Sequence, residues 1–135
     1  MHLTPAITPQ ELAQVDVNRL PTQAKIIINL IGIEKAWTLL SDRGGREIKI
    51  PAGDRSDTYL HQLITPTSAE ALIQRFAGTR LTLPKTDKIV TQIRNRRIYQ
   101  AKAQGEPMGH LVARFHLTRR SIILICTRIE AGNRV

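Results

Sequence analysis

The chain has 135 residues, of which 41% are hydrophobic and 23% are charged, a balance typical of a globular protein. Aromatic residues make up only 4%, so the core must be built from aliphatic side chains. The densest apolar run, residues 26–33, is far shorter than the roughly 18–20 residues that span a bilayer, which predicts no membrane segment. The first ten residues lack a basic-then-apolar export signal, so we expect a cytoplasmic protein.

The positive charge is concentrated in the C-terminal part of the chain. The net charge is +9 and the pI is about 10.6. Residues 85–135 contain 11 basic and 3 acidic side chains, a net charge of +8, whereas residues 1–84 contain 9 and 8, a net charge of +1. This segregation predicts a polyanionic partner for the C-terminal region and a different task for the rest; a basic surface that is merely solvated is the alternative.

The N-terminal region predicts two helices in succession. Thr8, Pro9 and Glu11 have the spacing of a capping box with proline at the first helical position. Apolar residues at roughly helical spacing then predict a helix over residues 23–40, in which Gly32 marks a break or a close packing point. The apolar edge of the first, short helix is formed by Leu12, Val15 and Leu20.

A helix–strand unit then occurs twice. The segments EKAWTLLSDRGGREIKIPAGD and AEALIQRFAGTRLTLPKTD share an amphipathic helix, a glycine turn, an alternating strand, a proline and a polar loop. A loop is predicted at residues 52–58, and a capping box beginning at Thr67 predicts the start of the second unit's helix. A lone strand of ~4–5 residues is not stable, so the two strands must pair within one chain or across a dimer.

The remaining residues predict three helices. A long basic helix covers residues 86–104, a short one covers 108–115, and a third runs from residue 119 to about 130. The turn at His116 and Leu117 and the cap at Thr118 between the last two helices are typical of a helix-turn-helix. Its recognition helix would present Arg119, Arg120 and Ser121 to the major groove of DNA, where arginine bonds guanine.

The segments GTRLTLPK, IRNRRIYQ and GEPMGHLVARFHLTRRSIILICTRI resemble the Mor/C family of transcription activators of Mu-like phages in order and spacing. The resemblance implies a phage or prophage regulator that acts as a homodimer on an inverted repeat near a promoter. It would recruit the RNA polymerase of its bacterial host cell and associate with the nucleoid. The resemblance assigns base readout to Arg119, Arg120 and Ser121. The residues expected to contact phosphate are Lys85, Lys88, Arg94, Arg97, Arg114, Thr118 and Arg128.

The resemblance also implies an N-terminal dimerisation region built from helices and a strand. Residues 1–84 would form it, and residues 85–135 would form the DNA-binding domain. The side chains assigned to dimerisation are Trp37, Leu40, Ile48, Ile50, Leu81 and Leu83. The sequence departs from the family at three points. His116 takes the place of a turn glycine, Ile123 and Leu124 stand where the family has Tyr and a polar or basic residue in the recognition helix, and the helix–strand unit is duplicated.

No catalytic or metal-binding constellation is predicted. His110 and His116 share no helix face and have no acidic or cysteine neighbour that would complete a metal site. The single cysteine, Cys126, excludes an internal disulfide and is expected to be buried. We therefore expect no enzyme, no metal and no cofactor.

The predicted fold is mainly α with a small antiparallel β element, in which an N-terminal helix–strand dimerisation region precedes a C-terminal helix-turn-helix. The predicted function is sequence-specific regulation of transcription through double-stranded DNA. Two alternatives stay open. The first is a repressor or antirepressor on the same scaffold. The second is a protein–protein adaptor that docks a partner through Ile123 and Leu124, which the apolar character of these groove-facing positions favours.

Overall fold

The computed structural model describes residues 6–52 and 58–132, and within them the chain is mainly helical with a small two-stranded antiparallel sheet, as predicted. A 3-10 turn at Val17–Arg19 follows the first helix. The helices are α1 (Pro9–Ala13), α2 (Thr22–Arg43), α3 (Tyr59–Leu63), α4 (Pro66–Phe76), α5 (Asp87–Ala103), α6 (Met108–Phe115) and α7 (Arg119–Glu130), and the strands are β1 (Glu47–Lys49) and β2 (Arg80–Thr82).

The capping box at the start of α1 is confirmed. The Thr8 hydroxyl accepts the Glu11 N–H at 3.2 Å, and the Glu11 carboxylate accepts the Thr8 N–H at 3.0 Å. Proline at the first helical position has no N–H that would need a partner there. The helix is shorter than its apolar edge suggested, because the chain turns after Ala13 to bury Val15 and Leu20 from outside the helix.

The break predicted at Gly32 is also confirmed. Its φ of 82° and ψ of 160° interrupt α2, and the helix continues from Ile33 on a changed axis. The positive φ requires a residue without a Cβ, which explains why glycine stands inside an otherwise aliphatic stretch.

The predicted start of the second unit's helix is wrong by two residues. The cap is Thr65, whose hydroxyl accepts the Ser68 N–H at 3.2 Å, and Pro66 is the first helical residue. Threonine followed by proline repeats the arrangement at Thr8 and was the better signal. The short helix α3 was not predicted, and positions 53–57 of the predicted loop 52–58 lie outside the described residues.

The two strands pair with each other within the chain, which answers the question that the sequence left open. Ile48 lies opposite Leu81, and both side chains are buried while their strand neighbours are exposed. Arg80 reaches across the exposed face to Glu47 at 3.3 Å.

The hydrophobic side chains form two clusters that meet on α5. The first extends from Leu12 to Ile93 and contains α1–α4, both strands and the first half of α5. The second contains Ile98 and Ala101 from the second half of α5, with Leu111, Ile122 and Cys126. The division into regions 1–84 and 85–135 stays a prediction, and the change from one cluster to the other falls within α5.

Candidate nucleic-acid interface

Helices α5, α6 and α7 pack around a small aliphatic core. Ile98, Leu111 and Ile122 are fully buried, and Cys126 is 1% exposed, which confirms its predicted burial. Burial raises the pKa of the Cys126 thiol, which makes it a packing group and a poor nucleophile. This core fixes the angle at which α7 leaves the turn.

The three-residue turn between α6 and α7 depends on a left-handed residue. His116 has φ 55° and ψ 41°, and it is the one non-glycine residue with positive φ in residues 6–52 and 58–132. Thr118 then caps α7, because its hydroxyl accepts the Ser121 N–H at 3.1 Å. The predicted turn and cap are confirmed, with histidine accepting a strain of about 1–2 kcal/mol that glycine would avoid.

The outer face of α7 combines arginine with large apolar side chains. Arg119 and Arg120 are exposed in the first turn, and Ile123 and Leu124 follow with exposures of 42% and 46%. Ser121 is half-buried, and its hydroxyl accepts the Thr118 hydroxyl at 3.0 Å. Of the three predicted base-reading residues, the two arginines are therefore the accessible ones.

A groove of about 470 Å³ lies between α5 and α7. Its cationic side chains are Arg19, Lys88, Arg94 and Arg128, so the groove brings together three of the predicted phosphate contacts. The predicted base reader Ser121 also lines it, and Leu117, Leu124 and Ile125 supply its apolar wall.

Arg94 is the least hydrated cation of the groove. Its guanidinium donates to the Asn95 side-chain oxygen at 2.8 and 3.0 Å, and burial lowers its pKa from the ordinary value. An arginine stays charged despite such a shift, so the groove holds a cation that has lost part of its water. An anion that binds Arg94 would therefore displace less water from the guanidinium than it would from a fully exposed arginine.

Sequence reasoning missed Arg19. It comes from the 3-10 turn, 69 residues before the next residue of the groove, Lys88, and no local sequence pattern predicts its place there. The link is Gln92, whose side-chain amide donates to the Asp16 carbonyl at 3.1 Å and accepts the Asp16 N–H at 2.7 Å. This pair fixes the 3-10 turn to α5 beside the groove.

The prediction that Arg97 contacts phosphate is disfavoured. Its side chain is 10% exposed and forms a two-point ion pair with Glu11, with bonds of 2.5 and 2.8 Å. The guanidinium holds the pKa of the Glu11 carboxyl below its usual value, and the carboxylate raises the pKa of Arg97 in turn. Together with the bond from Arg96 to Gln14 at 2.9 Å, this pair holds α1 on α5.

Three other predicted phosphate contacts, Lys85, Arg114 and the cap residue Thr118, lie outside the residues that line the groove. Arg114 forms an ion pair with Glu106 at 2.8 Å, and its guanidinium lies 4.8 Å from the centre of the Phe115 ring. Lys85 is exposed where the chain leaves β2, and its aliphatic stem runs past Gly45.

The side chains predicted for dimerisation fill the chain's own core. Leu40, Ile48, Ile50, Leu81 and Leu83 are 0–7% exposed within one chain. Trp37 is partly buried and packs against the same cluster. A homodimer through these residues stays a prediction.

Metal and membrane features are absent from the part of the chain that the structure describes. No three His, Cys, Asp or Glu side chains in residues 6–52 and 58–132 come together as a metal site. Over the same residues, none of the helices combines the length and the apolar character that a bilayer crossing needs.

Comparison with known proteins identifies the family. The model of the Mor transcription activator family matches residues 57–134, more than half of the chain. No curated protein and no solved structure matches the chain. The matched segment contains α3 to α7 and β2, and therefore every residue of the interface on α5 and α7 except Arg19. The family consists of transcription activators, which are regulatory proteins and not enzymes. The chain belongs to the Mor transcription activator family.

Proposed function

We propose that the chain activates transcription by binding double-stranded DNA with the N-terminal end of α7 in the major groove. The observation that carries this proposal is the exposure of Arg119 and Arg120 in the first turn of a helix capped by Thr118. Helices α5 and α6 both pack against α7, which supports a helix-turn-helix arrangement.

The electrostatics of α7 support an anionic partner. The N-terminus of a helix carries partial positive charge, so acidic residues stabilise it and basic residues do not. The first turn of α7 has two arginines and no acidic residue. An arrangement that weakens the isolated helix is explained if a polyanion supplies the missing negative charge on binding.

The groove and the end of α7 suggest a division of work. Lys88, Arg94 and Arg128 would neutralise phosphates, which supplies affinity for any sequence and a steep dependence on salt. Arg119 and Arg120 would read base edges, because each can bond guanine O6 and N7 together. Ser121 would contribute less than the arginines, since its hydroxyl is already bonded to Thr118.

The activating contact is the second part of the proposal. The family resemblance implies recruitment of the bacterial RNA polymerase, and activation is therefore preferred to repression. The exposures of Ile123 and Leu124 favour a second candidate, a protein–protein adaptor that docks a partner on α7 without reading bases. The two candidates differ in whether Arg119 and Arg120 matter for sequence preference.

Selection from random duplex DNA at about 0.15 M salt tests the proposal. Wild type should enrich a defined motif, and Arg120→Ala or Arg119→Ala should weaken its binding by about 1–3 kcal/mol and relax the motif at one position. Arg75→Ala is the matched control, because it removes an exposed arginine outside α5–α7. Motifs that are unchanged in both α7 variants would reject the assignment of base readout to these arginines, and a wild type that enriches no motif would favour the adaptor.

Arg94→Ala separates phosphate binding from readout. All sequences should lose affinity alike, and the slope of log K against log salt should become shallower by about one. A loss confined to the preferred motif would contradict the role assigned to the groove.

A further inference from the structure

The N-terminal part of the chain contains two structurally equivalent units, unit A (residues 26–51) and unit B (residues 59–84). Their helices end at Arg43 and Phe76, 33 residues apart, and β1 and β2 begin at Glu47 and Arg80, with the same separation. Buried positions repeat with it in the pairs Ile27/Leu60, Ile31/Ile64, Ala36/Ala69, Leu39/Leu72, Leu40/Ile73, Ile48/Leu81 and Ile50/Leu83.

The backbone repeats as closely as the side chains. Gly45 and Gly78 have φ values of 79° and 74°. The residues that end the preceding helices, Gly44 and Ala77, have φ/ψ of −59°/142° and −46°/130°. Gly32 breaks the helix of unit A at the position where Thr65 separates α3 from α4 in unit B. The equivalence therefore extends from the first helical turn to the end of the strand.

The two units pair with each other through reciprocal hydrogen bonds. The Gly45 N–H donates to the Leu83 carbonyl at 2.9 Å, and the equivalent Gly78 N–H donates to the Ile50 carbonyl at 3.1 Å. Leu83 N–H to Arg46 at 2.8 Å and Ile50 N–H to Thr79 at 2.9 Å form a second equivalent pair. This exchange of donor and acceptor defines an isologous interface, the kind that two identical chains form about a twofold axis.

The local twofold axis passes through the sheet. Ile48 lies directly opposite Leu81, which is its own equivalent in the other unit. The family match covers unit B and the C-terminal helices but does not extend to unit A. Unit A is therefore an additional copy. It covers the surface of unit B against which the equivalent unit of a second chain would have to pack.

We propose that unit A replaces the partner subunit, so that the chain is a monomer that carries one α7 for each pair of units. The apolar side chains of the interface, Ile48, Ile50, Leu81 and Leu83, are 0–7% exposed. A second chain could pack against them only after the two units had separated. If the proposed function holds, one chain reads a single half-site and needs no inverted repeat.

A cross-link tests the pairing directly. Glu47 and Thr82 are opposite and exposed, and the native Cys126 is buried. Oxidation of the Glu47→Cys/Thr82→Cys variant should close a disulfide within one chain, seen as a faster monomer band on a non-reducing gel and loss of both new thiols. The single variants E47C and T82C are the controls. Covalent dimers as the main product of the double variant, or two thiols that stay free, would overturn the proposal.

The molar mass in solution tests its consequence. Light scattering of the wild type should give the 15.2 kDa of one chain across a hundredfold range of concentration. A mass of two chains would overturn the proposal. Both measurements omit DNA, so a monomer that fails to bind DNA would reject only the proposed function. Two duplexes that carry the selected motif extend the test, one with a single half-site and one with an inverted repeat of it. The affinity of one chain for the single half-site should equal its affinity for each half-site of the repeat.

Discussion

Units A and B share a backbone but differ in what they carry. The turn, the strand and the aliphatic positions coincide, whereas Ile28 of unit A corresponds to the buried His61 of unit B, and Gly32 corresponds to Thr65. The comparison teaches that the apolar spacing and the left-handed glycine define the unit. Residues at its break and one residue of its core can change without altering the path of the chain.

The two units also differ in the segment to which each one leads. A Cβ placed on Gly45 would lie 3.2 Å from the Lys85 side chain, and one on Gly78 would lie 3.6 Å from Ala52. Lys85 and Ala52 are equivalent positions, each directly after the proline that closes a unit. Each turn therefore packs against the exit of the other unit, and only the exit of unit B leads into α5.

The largest expected effect comes from deleting equivalent core side chains. Ile50→Ala and Leu83→Ala remove the same number of carbon atoms from fully buried positions. Each should lower the free energy of unfolding by about 2–5 kcal/mol, and the two losses should agree within about 1 kcal/mol. Chemical denaturation measures both. Ile123→Ala, at an exposed position, should cost far less, and strongly unequal core losses would show that the units are packed differently.

Substitution of the turn glycines should have a smaller effect. Gly45→Ala and Gly78→Ala force a Cβ into a left-handed conformation and should each cost about 1–2 kcal/mol. Gly45→Ala should cost the more of the two because Lys85 is closer than Ala52. Gly109→Ala is the control: it lies within α6 with nothing in its way and should stabilise the protein by up to about 1 kcal/mol. A neutral change at either turn would contradict the equivalence.

The smallest expected effect has the opposite sign. The Nδ1 atom of His61 lies 2.6 Å from the Thr58 hydroxyl, but its buried Nε2 has no hydrogen-bond partner among the residues that the structure describes. His61→Ile copies the residue of unit A and should raise the free energy of unfolding by about 1 kcal/mol at neutral pH. The reciprocal Ile28→His should lower it. A loss of stability in His61→Ile would assign the histidine a structural role that unit A lacks.

Much of the fold was predictable because local signals agreed with tertiary packing. The capping box at Thr8, the break at Gly32 and the bounds of α6 and α7 followed from spacing and from helix-capping residues. Helix α3 was missed because five residues are too few for a helical period to be visible. The start of α4 was misplaced because Thr67 and Glu70 imitate the capping box that Thr65 and Pro66 begin.

The candidate site was less predictable because charge in the sequence does not reveal partners in space. Arg94 and Arg97 lie three residues apart on one helix, yet one lines the groove and the other is bonded to Glu11. Arg19 joins the groove only because Gln92 holds the 3-10 turn on α5. Both facts depend on how α1 packs, which no local pattern specifies.

Helix α5 belongs to both hydrophobic clusters, and this sharing determines how the chain responds to heat and to ligands. Unfolding of either cluster would remove the side chains against which one half of α5 packs. Neither half of the helix can therefore unfold without destabilising the other half. The whole chain should therefore unfold in a single transition. A ligand that binds α7 would raise the melting temperature of the paired units as well, although it touches neither of them.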